Sequence, residues 1–372
     1  MNQADNNKSK SGKCVLLSFE NKRLCAFSSI ENICENLNRC GYFLEKICRV
    51  AFDNSEEIIR AVKDGVNNYE NIFLHYPAQM DNTVKPFVAE LLKAEFNALG
   101  VLTSGNFNVF VLYSDISNRL SFDDIKQILA KKYNISYDSA VIRTVGVPHK
   151  LFEEAITSAK SVLNSGGGDA EINVTDNYGD CRIEVVFTNS TPKMTVDGAV
   201  REILKKLNGY VYAVEDISLA EQLFRLLQLR RMKISVAESF TGGGICKRLV
   251  EVSGISEVFF EGLNTYSNES KMQRLGVSEY TLKQHGAVSA ETAREMAEGL
   301  LARGNCDIAV ATTGIAGPKS DNTKKPVGLA YIAVGSAHRD VLVYQFNFVG
   351  DRQNITQTAI NQALFLAYKE LK

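Results

Sequence analysis

From Cys14 onward, short apolar runs alternate with stretches whose apolar residues recur at helical spacing. CVLLSF is the first such run. In SSIENICENLNRCG the apolar positions Ile30, Ile33, Cys34 and Leu37 share one helical face, which Gly41 closes. EKICRVAF then reads as a strand, SEEIIRAVKDGV as a helix, and NIFLHY as a strand buried on both faces. This β-α-β-α-β succession predicts a parallel sheet covered by helices. A second rhythm follows VIRTVGVP: a helix over Leu151 to Leu163, a flexible spacer at SGGGD around Gly166–Gly168, strands at EINVTD and CRIEVVFT, a helix at MTVDGAVREILKKLNG and a strand at YVYAVE. These elements make a small α+β module. The third begins sharply. Ser218 and Glu221 have the spacing of a capping box, and Leu219, Leu223, Leu226 and Leu227 form one stripe. KISVA is then a strand, GGGICKRLVEV a glycine-led helix, IAVATT a buried strand, VGLAYIAV another strand, and a terminal helix starts at about Asn354. No short internal repeat is present.

A chain of 372 residues suits two or three domains. Its 42 basic and 43 acidic residues leave a formal net charge of −1, so no global field draws it to nucleic acid or a membrane surface. An anionic ligand must therefore be held locally. Cys14, Cys25, Cys34, Cys40, Cys48, Cys181, Cys246 and Cys306 include no close CxxC pair, and the only histidines are His75, His149, His285 and His338. That pattern favours buried thiols in a reducing compartment over a zinc site or disulfides. Residues 1–13, MNQADNNKSKSGK, are polar without an apolar core and read as a disordered tail, not a signal peptide. No apolar run approaches membrane-spanning length. A cytoplasmic protein is expected.

Four segments carry candidate chemistry. AESFTGGG (Ala237–Gly244) lies between a strand and a helix, where main-chain N–H groups and the helix dipole favour an anion, with Ser239 at the strand's carboxyl end. A Ser239 or Thr241 helix cap fits the same pattern, and from this stretch alone the two readings stand level. In NTYSNESK, an N-cap at Ser267 or Asn268 puts Lys271 in the first turn, where the dipole and burial both lower a lysine pKa. A solvated helix lysine is the commoner outcome. TTGIAGP (Thr312–Pro318) follows an apolar strand and offers backbone donors, or simply a tight turn. In GDR, Asp351 suits a helix cap and Arg352 a phosphate contact.

Taken in order, AESFTGG, NTYSNESK, LGV, HGAVS, TTGIAGP, PVG and GDR closely resemble the CinA C-terminal domain family over Asp216 to Lys372. The resemblance implies a nicotinamide-nucleotide amidase. The serine of the family's ESCTGG motif, its nucleophile, falls on Ser239, and the assisting lysine of NExK on Lys271, with Tyr266 as a partner. Phe240 stands where the family usually has cysteine. The implied substrate-binding positions are Glu238, Thr241, Gly242 and Gly243 around the nucleophile, and Thr313, Gly314, Ala316, Gly317 and Arg352 for the nucleotide phosphate. The expected reaction is deamidation of nicotinamide mononucleotide in pyridine nucleotide salvage, with no metal or organic cofactor.

The remainder resembles a full-length CinA protein. Residues 14–150 are similar to its molybdopterin-binding-like domain, 151–215 to its KH-like α+β module, and 216–372 to its α/β amidohydrolase domain. Where the family carries a GGLGPTxDD loop, this chain has YPAQMDNTV (Tyr76–Val84), and SFENKRL replaces an early GTELLLG motif. The resemblance therefore implies a degenerate N-terminal domain that has lost ADP-ribose pyrophosphatase activity. The middle module lacks a GXXG loop flanked by basic residues, so nucleic acid is not an expected partner. Family analogy implies a homo-oligomer, a dimer. A non-catalytic regulatory or scaffold protein, or an amidase for another small amide, are the competing readings.

Overall fold

The computed structural model describes residues 12–20, 27–115, 120–319, 325–337 and 339–372. Most of the expected tail, with Cys25 and His338, lies outside them. Two compact units emerge: Met1–Ser139 with Gly166–Glu171 and Val186–Val196, and Ala140–Ser165 with Ile172–Val185 and Asp197–Lys372. Among the described residues, no helix is long and apolar enough to cross a membrane.

The first unit runs β1 (Cys14–Glu20), α1 (Phe27–Arg39), β2 (Leu44–Ala51), α2 (Ser55–Asn68), β3 (Asn71–Tyr76), α3 (Asp81–Leu92), β4 (Val101–Ser104), β5 (Phe107–Tyr113) and α4 (Phe122–Tyr133). Its sheet has the order β2-β1-β3-β5-β4. β1, β2, β3 and β5 are parallel, as the β-α-β rhythm requires, and β4 pairs antiparallel with β5. Every residue of β3 is buried because alternate side chains enter two cores. Cys14, Leu16, Phe73 and Phe110 meet Ile30, Ile33 and Leu37 of α1. On the other face, Val15, Leu17, Ile72 and Leu74 meet Ile58 and Val62 of α2 and Val84 and Val88 of α3.

There follow β6 (Tyr137–Val145), α5 (His149–Gly166), β7 (Ala170–Asn177), β8 (Asp180–Thr188), α6 (Lys193–Leu207) and β9 (Val211–Ala213), whose strands form a sheet ordered β7-β8-β6-β9. The SGGGD run is not a loose spacer. Gly166 still belongs to α5, and the Asp169 N–H donates to Thr191 Oγ1 at 3.0 Å, so the chain turns directly into β7. Arg143 on β6 spans Asp180 at 3.0 Å and Asp216 at 3.5 Å and donates to the Tyr212 hydroxyl at 2.8 Å. Arg182 pairs with Glu184 and Asp216 at 2.7 and 3.1 Å.

The rest is α7 (Leu219–Arg230), β10 (Ile234–Glu238), α8 (Gly244–Val250), β11 (Phe259–Asn264), α9 (Asn268–Leu275), α10 (Glu279–His285), α11 (Ala290–Leu301), β12 (Ile308–Gly314), β13 (Leu329–Ser336), β14 (Arg339–Asn347) and α12 (Arg352–Leu371). The expected capping box forms: Ser218 Oγ accepts from Glu221 N–H at 3.2 Å, and the Glu221 carboxylate accepts from Ser218 N–H at 2.8 Å. The sheet order is β11-β10-β12-β13-β14, with β10, β11 and β12 parallel and β13 and β14 antiparallel additions. Alternation along β12 explains the two layers. Ile308 and Val310 pack with Leu223, Leu227 and Leu364 of α7 and α12. Ala309 and Ala311 face Ala293, Met296 and Leu300, and their small size lets α11 lie close to the sheet.

Arg143→Ala leaves Asp180, which is 5% exposed, without its principal cation. Removing one member of such a buried pair should cost roughly 3 kcal/mol. Urea unfolding measures it, and an unchanged midpoint would show that the network contributes nothing.

Candidate active site

The site forms where three parallel strands end together. Glu238, the last residue of β10, lies beside Asn264 of β11 and Thr312 of β12. The next step of the ladder also holds: Ser239 N–H donates to Thr312 O at 3.1 Å and Thr265 N–H to Glu238 O at 2.8 Å. Ser239 therefore leaves the central strand at the carboxyl edge of the sheet, where open α/β folds take ligands. The chain then turns sharply through Gly242 and Gly243, at φ +63° and +94°, a region that glycine enters without strain. A side chain at either would meet open space, so conformation, not close approach, calls for glycine here.

Lys271 comes from α9. Ser267 caps that helix, its Oγ accepting from Ser270 N–H at 3.1 Å, which places Lys271 one turn in. Its side chain runs inward and is only 1% exposed. Nζ lies 3.1 Å from Ser239 Oγ and donates to the carbonyls of Thr265 at 2.7 Å and Tyr266 at 3.3 Å. Among the described residues no carboxylate pairs with it. Burial alone pushes its pKa from the usual 10.5 down to about 8. The far end of α9 is fixed by α11, since a Cβ on Gly299 would lie 1.9 Å from the Leu275 carbonyl oxygen.

Glu238 does something the sequence did not reveal. Its carboxylate is fully buried and accepts from the N–H groups of Gly243 at 3.0 Å, Ile245 at 3.1 Å and Cys246 at 2.9 Å. The anion expected at the start of α8 is thus supplied by the protein itself. Glu238 is a cap here and not an open substrate contact. Of the amides of the Thr241–Gly243 turn, Gly242 donates to Ser239 O at 3.1 Å and Gly243 to Glu238. The N–H groups of Phe240 and Thr241 have no acceptor among the described residues. The Thr241 hydroxyl lies 2.8 Å from that of Thr312.

The remaining expected residues divide. Thr313 is buried, and its hydroxyl donates to Ala287 O at 2.6 Å, so it ties the end of β12 to the loop before α11. Gly314 lies against Phe240, whose ring sits in a small cluster with Ala316, Ala330, Ile355 and Ala359. The amides of Ala316 and Gly317 have no acceptor among the described residues. Arg352 reaches over this loop, donating to Gly317 O at 2.9 Å and to the Tyr266 hydroxyl at 3.4 Å. The Tyr266 ring is 63% exposed, and its carbonyl, not its hydroxyl, meets Lys271. Sequence reasoning did not single out Thr265, whose carbonyl holds the amine and whose buried Oγ1 has no partner among the described residues. Nor did it single out Thr312 or Ala287. Their contributions are main-chain atoms or hydroxyl pairs that only strand register creates.

The CinA C-terminal domain family matches residues 216–371. A CinA-like protein of Thermotoga maritima is 30% identical over 338 residues, 88% of this chain and 78% of its own length. A protein of Caldicellulosiruptor bescii named as competence-damage inducible is 37% identical over 240 residues, 63% of this chain. The chain spans 56% of that relative's length. Among solved structures, the competence/damage inducible protein CihA from Agrobacterium tumefaciens shares 38% identity over 41% of this chain and 93% of its own, with a TM-score of 0.39.

Glu238→Gln places an amide NH2 against main-chain donors and removes charge from the α8 cap. A loss of about 2 kcal/mol in urea unfolding is expected. Wild-type stability in this variant would show that the cap is not what holds the turn.

Proposed function

Because the chain belongs to the CinA family, we propose that its Asp216–Lys372 segment is a serine–lysine amidohydrolase that deamidates nicotinamide mononucleotide. The observation that carries this reading is the buried 3.1 Å approach of Lys271 Nζ to Ser239 Oγ, with no carboxylate partner among the described residues. A neutral amine has two N–H bonds and one lone pair. Here the two hydrogens match the Thr265 and Tyr266 carbonyls, which leaves the lone pair for the Ser239 proton. This is the arrangement a lysine base needs.

In the proposed sequence, Ser239 Oγ attacks the carboxamide carbon as Lys271 takes its proton. The unbonded amides of Phe240 and Thr241 meet the oxyanion; losing one such donor typically costs roughly a hundredfold in rate. Lys271 returns the proton to the departing ammonia, and water then hydrolyses the ester on Ser239. The nucleotide phosphate lies against the amides of Ala316 and Gly317. Arg352 stands above that loop and exchanges its Tyr266 contact for a phosphate oxygen. Tyr266 acts at the rim, with its carbonyl orienting the amine.

Ammonia release from nicotinamide mononucleotide should vanish in Ser239→Ala and fall at least a hundredfold in Lys271→Ala, while Lys271→Arg, permanently charged, should be equally inactive. A Lys271→Arg enzyme with substantial turnover would remove the base from the scheme. A panel of other small amides tests the choice of substrate.

The pH dependence has a definite sign. Only the neutral lysine accepts a proton, so kcat/KM should climb with pH and level off above about 8. A profile flat through pH 8 would be incompatible with Lys271 as the base. The unfolded chain keeps this proton up to about 10.5 and the folded chain releases it near 8, so the fold also gains stability as pH rises between those values.

A further inference from the structure

We propose that the first unit carries a ligand site of its own, at the carboxyl end of β1, for a small, uncharged, flat aromatic molecule. A cavity of about 190 Å³ opens there, lined by Phe19, Phe52, Ser55, Ile58, Thr83, Val84 and Phe87. An apolar cavity of about 150 Å³ is enough to hold benzene, so this one matches one or two fused rings. The three phenylalanines provide ring edges and faces for such a guest, and Ile58 and Val84 close the wall. Ser55 and Thr83, both exposed, put the polar side chains of the lining, among the described residues, at the mouth.

Position and charge narrow the ligand further. The cavity lies beside the first turns of α2 and α3 at the edge of the sheet where open α/β folds bind ligands. Those first turns already carry their own anions, Glu56 and Glu57 on α2 and Asp81 on α3. The α2 start is also capped by Asn54, whose Oδ1 accepts from Glu57 N–H at 3.2 Å. Lys85, the cation of the neighbouring α3 turn, is engaged by Asp81 and by the Tyr113 hydroxyl. A phosphate would meet the carboxylates of both first turns and the capped start of α2, whereas a neutral ring meets the apolar side chains of Phe19, Phe52, Ile58, Val84 and Phe87. Phe19 belongs to the SFENKRL stretch, and Thr83 and Val84 belong to YPAQMDNTV. Phe19, Thr83 and Val84, from the two places where glycine-rich motifs are replaced, supply part of the wall, and Phe52, Ser55, Ile58 and Phe87 the rest of it among the described residues.

Indole is a suitable probe, followed on the full chain by saturation-transfer NMR. Saturable binding at millimolar concentration is expected, with no displacement by inorganic phosphate, ADP-ribose or nicotinamide mononucleotide. Thr83→Phe and Ser55→Phe each place a ring in the mouth from an exposed position and should weaken indole by about tenfold or more. Circular dichroism confirms that each variant is folded, and using one on each helix guards against a local distortion. Absence of saturable binding, displacement by any of the three phosphorylated competitors, or undiminished affinity in both folded variants would each overturn the proposal.

Discussion

A buried amine with no opposing carboxylate governs the C-terminal part of this molecule. Taking a charged ammonium out of water is costly, so burial without a partner charge lowers a lysine's pKa toward the range where it can act as a base. Lys271 meets that condition, at about 8, with backbone carbonyls and a hydroxyl around its amine. The surrounding elements serve to keep it there. Ser267 sets the start of α9, the ends of β10 and β11 present Ser239 and Thr265, and α11 closes over the far end of the helix. A carboxylate within reach would raise the lysine pKa and defeat the arrangement. Glu238, the acid of the Ser239 motif, is turned away into the start of α8.

That orientation of Glu238 separates two tasks that a glycine-led helix start often combines. The dipole of α8 is answered internally, so it stabilises the turn that bears Ser239 and not a bound anion. In the proposed reaction, anion recognition falls to main-chain amides that lie outside the helix, at Phe240 and Thr241 for the oxyanion and at Ala316 and Gly317 for the phosphate.

The sequence made the α/β class, the capping box at Ser218 and the approximate position of each motif readable. These depend on local spacing, and β3, α2 and β10 begin and end close to where their apolar patterns do. Local pattern alone left Ser239 level with a helix cap and favoured a solvated Lys271; the resemblance to the CinA family is what singled out the pair. It did not reveal the direction of the Tyr266 ring, the destination of the Glu238 carboxylate or the Thr241–Thr312 pair. Each of those is decided by residues distant in sequence. The edge strands β11 and β14 were unread for another reason. FFEGLN and RDVLVYQFN are half-buried, and glycine or charge breaks their alternation. The Gly166–Gly168 run misled because glycine content alone cannot distinguish a loose linker from a turn pinned by a threonine hydroxyl.

The contact between Gly299 and the Leu275 carbonyl has a consequence for how this family member can drift. The separation of amine and hydroxyl is referenced to a place where two helices meet through main chain, without side chains between them. Apolar residues elsewhere along that seam can be exchanged and the packing will adapt by rotamer changes, leaving the reference point where it was. Position 299 has no such latitude, because any larger residue there levers α9 outward as a whole. Sequence space around the site is therefore narrowed at a position far from the chemistry it protects.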